Sequence, residues 1–332
     1  MRFEESRVHL VGLACVCALL APVAVAQTAP GEARYPVKVV RIVVGFTPGG
    51  AADVQARVMA TALTEPLGQQ VIVDNRPGQD SIIGTSMVAK SPPDGYTIAY
   101  VTAAHAMNSI LHARSMPYHP VRDFAPVSLV ASGPLPLVVN PALPVKDLKG
   151  LVALAKKRPG QLNFASAGAG GTMHLAGELL KSVANIDMVH VPYKGGGQAL
   201  TDVIAGQIEL TFVGAPVAMP HIRSGRLRVL AVSTKKRAAA LPDVPTVAEL
   251  GYPDFEVDAW YGVLAPRGTP APVVNRLSTE IAKSLTTTRI KEAFLALGIE
   301  GVGSTPEQFT THIEKEIVRW TPIVHKAGLK IE

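Results

Sequence analysis

Three times in this sequence a strand-like run ends in a glycine-rich bend and passes straight into a helical pattern. The junctions are GFTPGGAAD (45–53), NFASAGAGGTMH (163–174) and VPYKGGGQALTD (191–202). Glycine permits positive φ and has no Cβ, so several backbone N–H groups can converge on one ligand oxygen. The helix that follows adds free N–H donors and a partial positive charge. Hydroxyls at Thr47, Ser166 and Thr172 extend the donor set. One such turn is an ordinary strand-to-helix connection. Three in one chain predict a shared cradle for a small anion, with no side-chain cation required.

The rest of the pattern agrees with alternating strands and helices. VVRIVVGF (39–46) is a continuous β-branched run, expected of a strand buried on both faces. A helix follows that should bury Val54, Val58, Ala62 and Leu63, then strand QQVIVDN, helix IIGTSMVAK and strand YTIAYVT. This βαβαβ order with short loops predicts a parallel sheet. The alternation restarts after 131–145, a proline-dense, charge-poor segment suited to a crossover between two lobes. At the end, VVNRLSTEIAKSLTTTRIKEAFLALG and PEQFTTHIEKEIVRWTPIVHKAG each predict one amphipathic helix. The expected fold is α/β with two βα lobes and a ligand cleft between them.

The N-terminus reads differently. Residues 8–21 form an apolar run, and Ala24-Val25-Ala26 before Gln27 has the small-x-small form of a cleavage site. Residues 1–26 are therefore expected to be a cleaved signal peptide, which places the protein in the periplasm. Both cysteines, Cys15 and Cys17, leave with it, so neither a disulfide nor a cysteine metal ligand is expected. Roughly 300 residues remain, enough for two lobes stabilised by their cores alone. The formal charge is +6, but aromatics are only 5% and no basic block has aromatics interleaved, so no nucleic-acid partner is expected. A mild positive field suits small anions.

Sharper catalytic readings fail on spelling. No lysine follows the glycines as a P-loop demands, Met173 stands where a dinucleotide fingerprint needs its third glycine, and Phe164 replaces the first glycine of a nucleophile elbow. His105, His112 and His119 are seven apart, but Pro117 and Pro120 interrupt any helix that would align them. No catalytic residue, metal or cofactor is assigned. His174 and Asp53 sit in first helical turns, where capping and packing compete with ligand contact. Lys194 is open between ligand cation and solvated loop residue. Trp260 and Tyr261 are open between cleft and core.

Several segments, in order, carry a family resemblance: YPVKVVRIVVGFTPGGAADVQAR, KSPPDGYTI, PYHPVRDFAPVSLV, SAGAGGTMHLAGELLK, HVPYKGGGQALTDVIAGQIEL and LPDVPTVAELGYPDFEVDAWYG. Together they resemble the exported solute-binding proteins of the tripartite tricarboxylate transporter family, also called the Bug family after the Bordetella uptake genes. The resemblance covers nearly the whole chain beyond the signal. It implies a type II periplasmic-binding-protein fold that closes on a small organic carboxylate and delivers it to membrane carrier subunits. The expected lobes are 36–135 plus 256–332, and 136–255, in a monomer.

The resemblance also implies the ligand-binding residues. The first-lobe loop contributes Phe46, Thr47, Gly49, Gly50, Ala51 and Asp53. The second-lobe loop contributes Ser166, Gly168, Gly170, Gly171, Thr172 and His174. Tyr193, Lys194 and Gly195 follow from the third junction, and Val213 from the LTFVGAP segment that the resemblance places at the cleft. Three departures from the usual pattern stand out. Gln79-Asp80-Ser81 follows NRPG in place of an Ala-Gly-Gly run, Gly171 replaces a common serine, and Val213 replaces a frequent aspartate. All three are expected to line or border the cleft, and the loss of a hydroxyl and a carboxylate with Val213 gained points to a more apolar ligand than a dicarboxylate, such as an aromatic monocarboxylate. An exported hydrolase and a sensor subunit for a membrane signalling partner are the alternatives.

Overall fold

In the computed structural model the described residues are 35–326; the expected signal peptide, residues 1–26, lies outside them. Two mixed sheets organise the chain. The first holds β1 (Val40–Val44), β2 (Val71–Asn75), β3 (Thr97–Thr102), β4 (Phe124–Pro134), β10 (Asp258–Pro266) and β11 (Glu300–Gly301). Their order is β11-β4-β10-β3-β1-β2. The second holds β5 (Pro136–Val139), β6 (Asn163–Ser166), β7 (Val189–Pro192), β8 (Leu210–Phe212) and β9 (Arg228–Val232), ordered β7-β6-β8-β5-β9.

The predicted parallel pairing is present where the βαβ alternation is regular: β1 runs parallel to β2 and β3, and β6 to β7 and β8. It is not general. β10 is antiparallel to β3 and β4, and β5 is antiparallel to β8 and β9. The chain crosses between the sheets twice, and a strand that enters a sheet from the other one arrives without a crossover helix to set its direction.

Helix α1 (Ala51–Leu67) follows β1 and ends at Gly68, whose φ of 65° takes the left-handed cap. Its buried face is Ala52, Ala56, Met59, Leu63 and Leu67. Val54, Val58 and Ala62, expected on that face, are half-buried. The alanine side allows a closer approach to the sheet, and the valines turn to the flank. Helices α2 (Ile82–Ala89) and α3 (Ala104–Leu111) complete the first half, and the sequence pattern had not revealed α3. The second sheet carries α4 (Leu148–Lys157), α5 (Thr172–Ala184), α6 (Gly196–Ile204) and α7 (Ala215–Arg223).

The expected single helix near the end is two, α8 (Ala271–Thr286) and α9 (Thr288–Ala296), and α10 (Pro306–Lys326) follows. The break falls at Thr287, which is extended at φ −69° and ψ 142°. A run of three β-branched threonines disfavours the helix there.

Both crossings meet at one serine. β4 ends at Pro134 and β5 begins at Pro136, so Leu135 carries the first crossing. Ser233, fully buried just after β9, accepts a 2.8 Å hydrogen bond from the Leu135 N–H. Its hydroxyl donates to the carbonyl of Val257, which precedes β10 on the second crossing.

Candidate functional site

Between the two sheets lies a cavity of about 70 Å³. Its wall is built from the starts of five helices. Gly50, Ala51 and Ala52 open α1, Ala103 and Ala104 open α3, Thr172 and Met173 open α5, Gly196 opens α6, and Gly214 precedes α7. In none of these helices does the N-cap residue's own side chain cap the helix, although Thr102 Oγ1, just before α3, accepts from the Ala104 N–H at 3.2 Å. Away from the cavity, α4 is capped by Asp147, whose Oδ1 accepts from the Gly150 N–H at 2.7 Å, while α2, α8 and α9 also have no side-chain cap. Helix starts without side-chain caps direct N–H dipoles and partial positive charge at whatever occupies the space. The remaining wall is mostly apolar: Phe46, Leu135, Val213, Val217, Trp260 and Tyr261.

Of the residues expected from sequence, Phe46, Gly50, Ala51, Thr172 and Val213 line this cavity. Trp260 and Tyr261, left open, line it too, although the Trp260 indole N–H points away to Glu316 Oε2 at 3.2 Å. Gly168, Tyr193 and Lys194 border a second, outer opening of about 250 Å³. The Tyr193 hydroxyl donates to Asp202 Oδ2 at 2.5 Å. Gly49 lies on an outer groove.

The others brace the loops. Asp53 is buried and accepts from the Gly49 N–H at 2.9 Å and from Arg57 Nε at 3.0 Å. Burial pushes its carboxyl up, but the bonds from Arg57 and Gly49 outweigh it and hold the group below the usual range. Thr47 meets Gly195 across the cleft: its hydroxyl fills the space a Cβ on Gly195 would need. Gly170 donates its N–H to His174 Nδ1 at 2.9 Å.

Ser166 Oγ lies 2.6 Å from His190 Nε2, the spacing of a nucleophile and its base. Yet Ser166 is fully buried, is not part of the cavity wall, and also bonds the Gly168 carbonyl at 2.7 Å. His190 stacks on His174 at 3.8 Å, with Phe164 beside both. Burial, then the neighbouring His190 and Lys181, hold His174 down to about 3; burial and Lys181 hold His190 down to about 4. Two neutral rings and a serine thus shape the glycine-rich loop from behind.

Asp80 is not among the ligand residues named from sequence, although the Gln79-Asp80-Ser81 departure is expected to line or border the cleft; it lines both the cavity and the outer opening. Burial pushes its carboxyl up to about 7. Among the described residues no helix is long and apolar enough to cross a membrane, and no cluster of three or more His, Cys, Asp or Glu is placed to hold a metal ion.

Two sheets joined by two crossings, with a cleft rimmed by helix N-termini, define the two-lobe fold of the periplasmic binding proteins. The sequence matches the family described as "Tripartite tricarboxylate transporter family receptor" over residues 55–329. It is 40% identical to the Bordetella pertussis protein BugT over 301 residues, 90% of this chain and 92% of that one. The solved periplasmic binding protein BugD superposes with a TM-score of 0.87 at 33% identity, covering 90% of this chain and 100% of the other. An R. palustris protein solved with adipate gives 0.86 at 39% identity, covering 89% and 98%. The chain belongs to the tripartite tricarboxylate transporter receptor family, whose members include the Bug proteins.

Proposed function

We propose that this protein is a periplasmic receptor that holds a small organic carboxylate by lobe closure and passes it to membrane carrier subunits of the tripartite tricarboxylate type. The observation that carries the reading is the convergence on one cavity of five helix starts, none capped by its own N-cap side chain. The acid end of a carboxylate needs donors around it, and aligned N–H groups supply them without a counter-cation. Among the described residues no Lys or Arg lines the cavity. The relative solved with adipate supports the ligand class.

In this reading the lobes are 36–135 plus 256–332, and 136–255, and the crossings tied by Ser233 are the hinge. Ligand touches both lobes only when they are closed, so binding shifts the equilibrium toward that form. The apolar wall at Phe46, Val213 and Trp260 favours an acid less polar than a dicarboxylate. The protein is exported by its N-terminal segment, binds as a monomer and performs no chemistry on its ligand.

A thermal-shift series with small carboxylates and their uncharged amides tests this. A ligand that binds only the native state at a hundred times its Kd adds about 2.7 kcal/mol of stability. A shift with an acid that disappears with its amide is the expected result. Silence across the acids, or an equal response to amides, overturns the carboxylate reading.

A further inference from the structure

Asp80 sits in a stretch of backbone under strain. Gln79, Asp80 and Ser81 have φ values of 45°, 46° and 77°, three successive non-glycine residues in the left-handed region. L-residues avoid this region because Cβ crowds the following carbonyl, and such strain persists only where surroundings enforce it. Here they do. The Asn108 side chain donates to the Asp80 carbonyl at 2.8 Å, and Thr85 N–H bonds the Ser81 carbonyl at 3.0 Å. Gly45 and Gly84 admit the loop only because they lack Cβ: one on Gly45 would lie 2.6 Å from Ser81 Cα, and one on Gly84 2.7 Å from the Arg76 carbonyl oxygen.

The strained turn carries the Asp80 side chain across the cleft. Its residue is 8% exposed. A Cβ on Gly171, at the start of α5, would stand 2.5 Å from Asp80 Oδ2 and 2.7 Å from Oδ1. The carboxyl nonetheless accepts no hydrogen bond among the described residues, and Oδ2 is both buried and unpartnered. A buried carboxylate without a donor is costly, and native proteins seldom retain one unless something else completes it. Asp80 is also the only acidic side chain on the cavity wall among the described residues, which offers no Lys, Arg or His. A ligand with two carboxylates in this cavity would set its second charge against Asp80 with no cation on that wall to offset it, Lys194 standing at the outer opening.

We propose that Asp80 is a specificity-determining residue that receives an N–H donor, preferably an ammonium group, on the ligand, so that the cleft takes zwitterionic or amino-bearing monocarboxylates. The inference rests on the carboxylate reading and narrows it: helix N-termini hold the acid end and Asp80 holds the donor end. Gly171 is the matching element on the opposite lobe, because any side chain there would displace the Asp80 carboxyl.

The test uses ligands matched in length. ε-Aminocaproate, heptanoate and adipate present an amine, a methyl and a carboxylate at the same distance from a common carboxylate. para-Aminomethylbenzoate and para-ethylbenzoate make the same comparison on a ring. Calorimetric titration of the purified protein is expected to favour the amine over its methyl partner by at least about tenfold in at least one pair, with adipate weakest. Asp80→Asn, which preserves shape, is expected to erase most of that preference. Methyl partners that bind as well as the amines in both pairs, or adipate binding as well as ε-aminocaproate, overturn the role of Asp80 and leave the carboxylate reading intact. An amine preference that survives Asp80→Asn also overturns it. No binding by any of the acids overturns both. The comparison in the unaltered protein stands even if the variant folds poorly.

Discussion

The Thr47 hydroxyl of the first glycine-rich loop occupies the space where a Cβ on Gly195 of the third would stand. The two residues belong to loops that follow strands of different sheets, β1 and β7, so on the proposed closure mechanism their contact belongs to the closed form. Gly195 has φ 179°, an extended backbone that alanine also adopts. Gly195→Ala is therefore expected to leave stability within about 0.5 kcal/mol of the parent while disfavouring closure. Small-angle scattering should give a larger radius of gyration for the variant, and adding Thr47→Ala should restore the parent value. An unchanged radius would show that this contact does not limit closure.

The crossings offer a second measurement. Ser233→Ala removes the acceptor of the Leu135 N–H and the donor to the Val257 carbonyl, both at a fully buried position. Leaving two buried backbone groups unpaired is expected to cost about 1–3 kcal/mol in urea unfolding. A loss below about 0.5 kcal/mol would mean that the crossings are held by something else.

Strain at the Asp80 turn predicts a gain. Gln79 is exposed and has φ 45°, so Gln79→Gly removes a side chain that makes the conformation costly. The expected effect is a stabilisation of about 1 kcal/mol, read as a raised urea midpoint. A loss of stability would show that the Gln79 side chain supports the turn.

Acid should weaken the fold through its buried histidines. His105 and His174 are buried and lowered to about 4 and about 3, chiefly by burial. Above pH 6.5 both folded and unfolded chains leave them neutral. Below it the unfolded chain takes up protons first, so stability falls with pH by up to about 1.4 kcal/mol per unit for each ring until the folded value is reached. Asp80, raised to about 7 by burial, acts oppositely: the folded chain binds the proton first, and stability falls as pH rises from near 4 through 7. Its titratable neighbours are Tyr118, which feels its charge, His112, Tyr193 and Lys194 at the outer opening, and Tyr261 on the cavity wall. Melting curves between pH 7 and 4 should fall, and His174→Gln, which keeps an acceptor for the Gly170 N–H, should flatten the fall. Asp80→Asn should stabilise the protein at pH 8 and not at pH 4. An unchanged slope in the first variant, or no gain at pH 8 in the second, would contradict these assignments.

Much of the architecture was legible in the chain itself. β-branched runs, glycine bends and helical periodicity report local backbone preference and one-sided burial, and these set the alternation, the three junctions and the family pattern. Local signals were weaker where neighbours decide. The threonine run at 286–288 carried a helical pattern across a break, and Ala52, Ala56, Met59 and Leu63 took the buried face of α1 in place of the valines, the two alanines letting the helix approach closely. The candidate site divides the same way. Gly50, Ala51 and Thr172 were readable because a helix start is a local event. Ala103, Leu135 and Gly214 reach the cavity wall only because β3, the first crossing and β8 end at the same level of the fold. Asp80 and Gly171 lie far apart in sequence, and nothing local marks either as the other's partner. Whether a carboxylate is solvated or sealed against a bare backbone depends on how two separate lobes meet, and only the tertiary structure decides that.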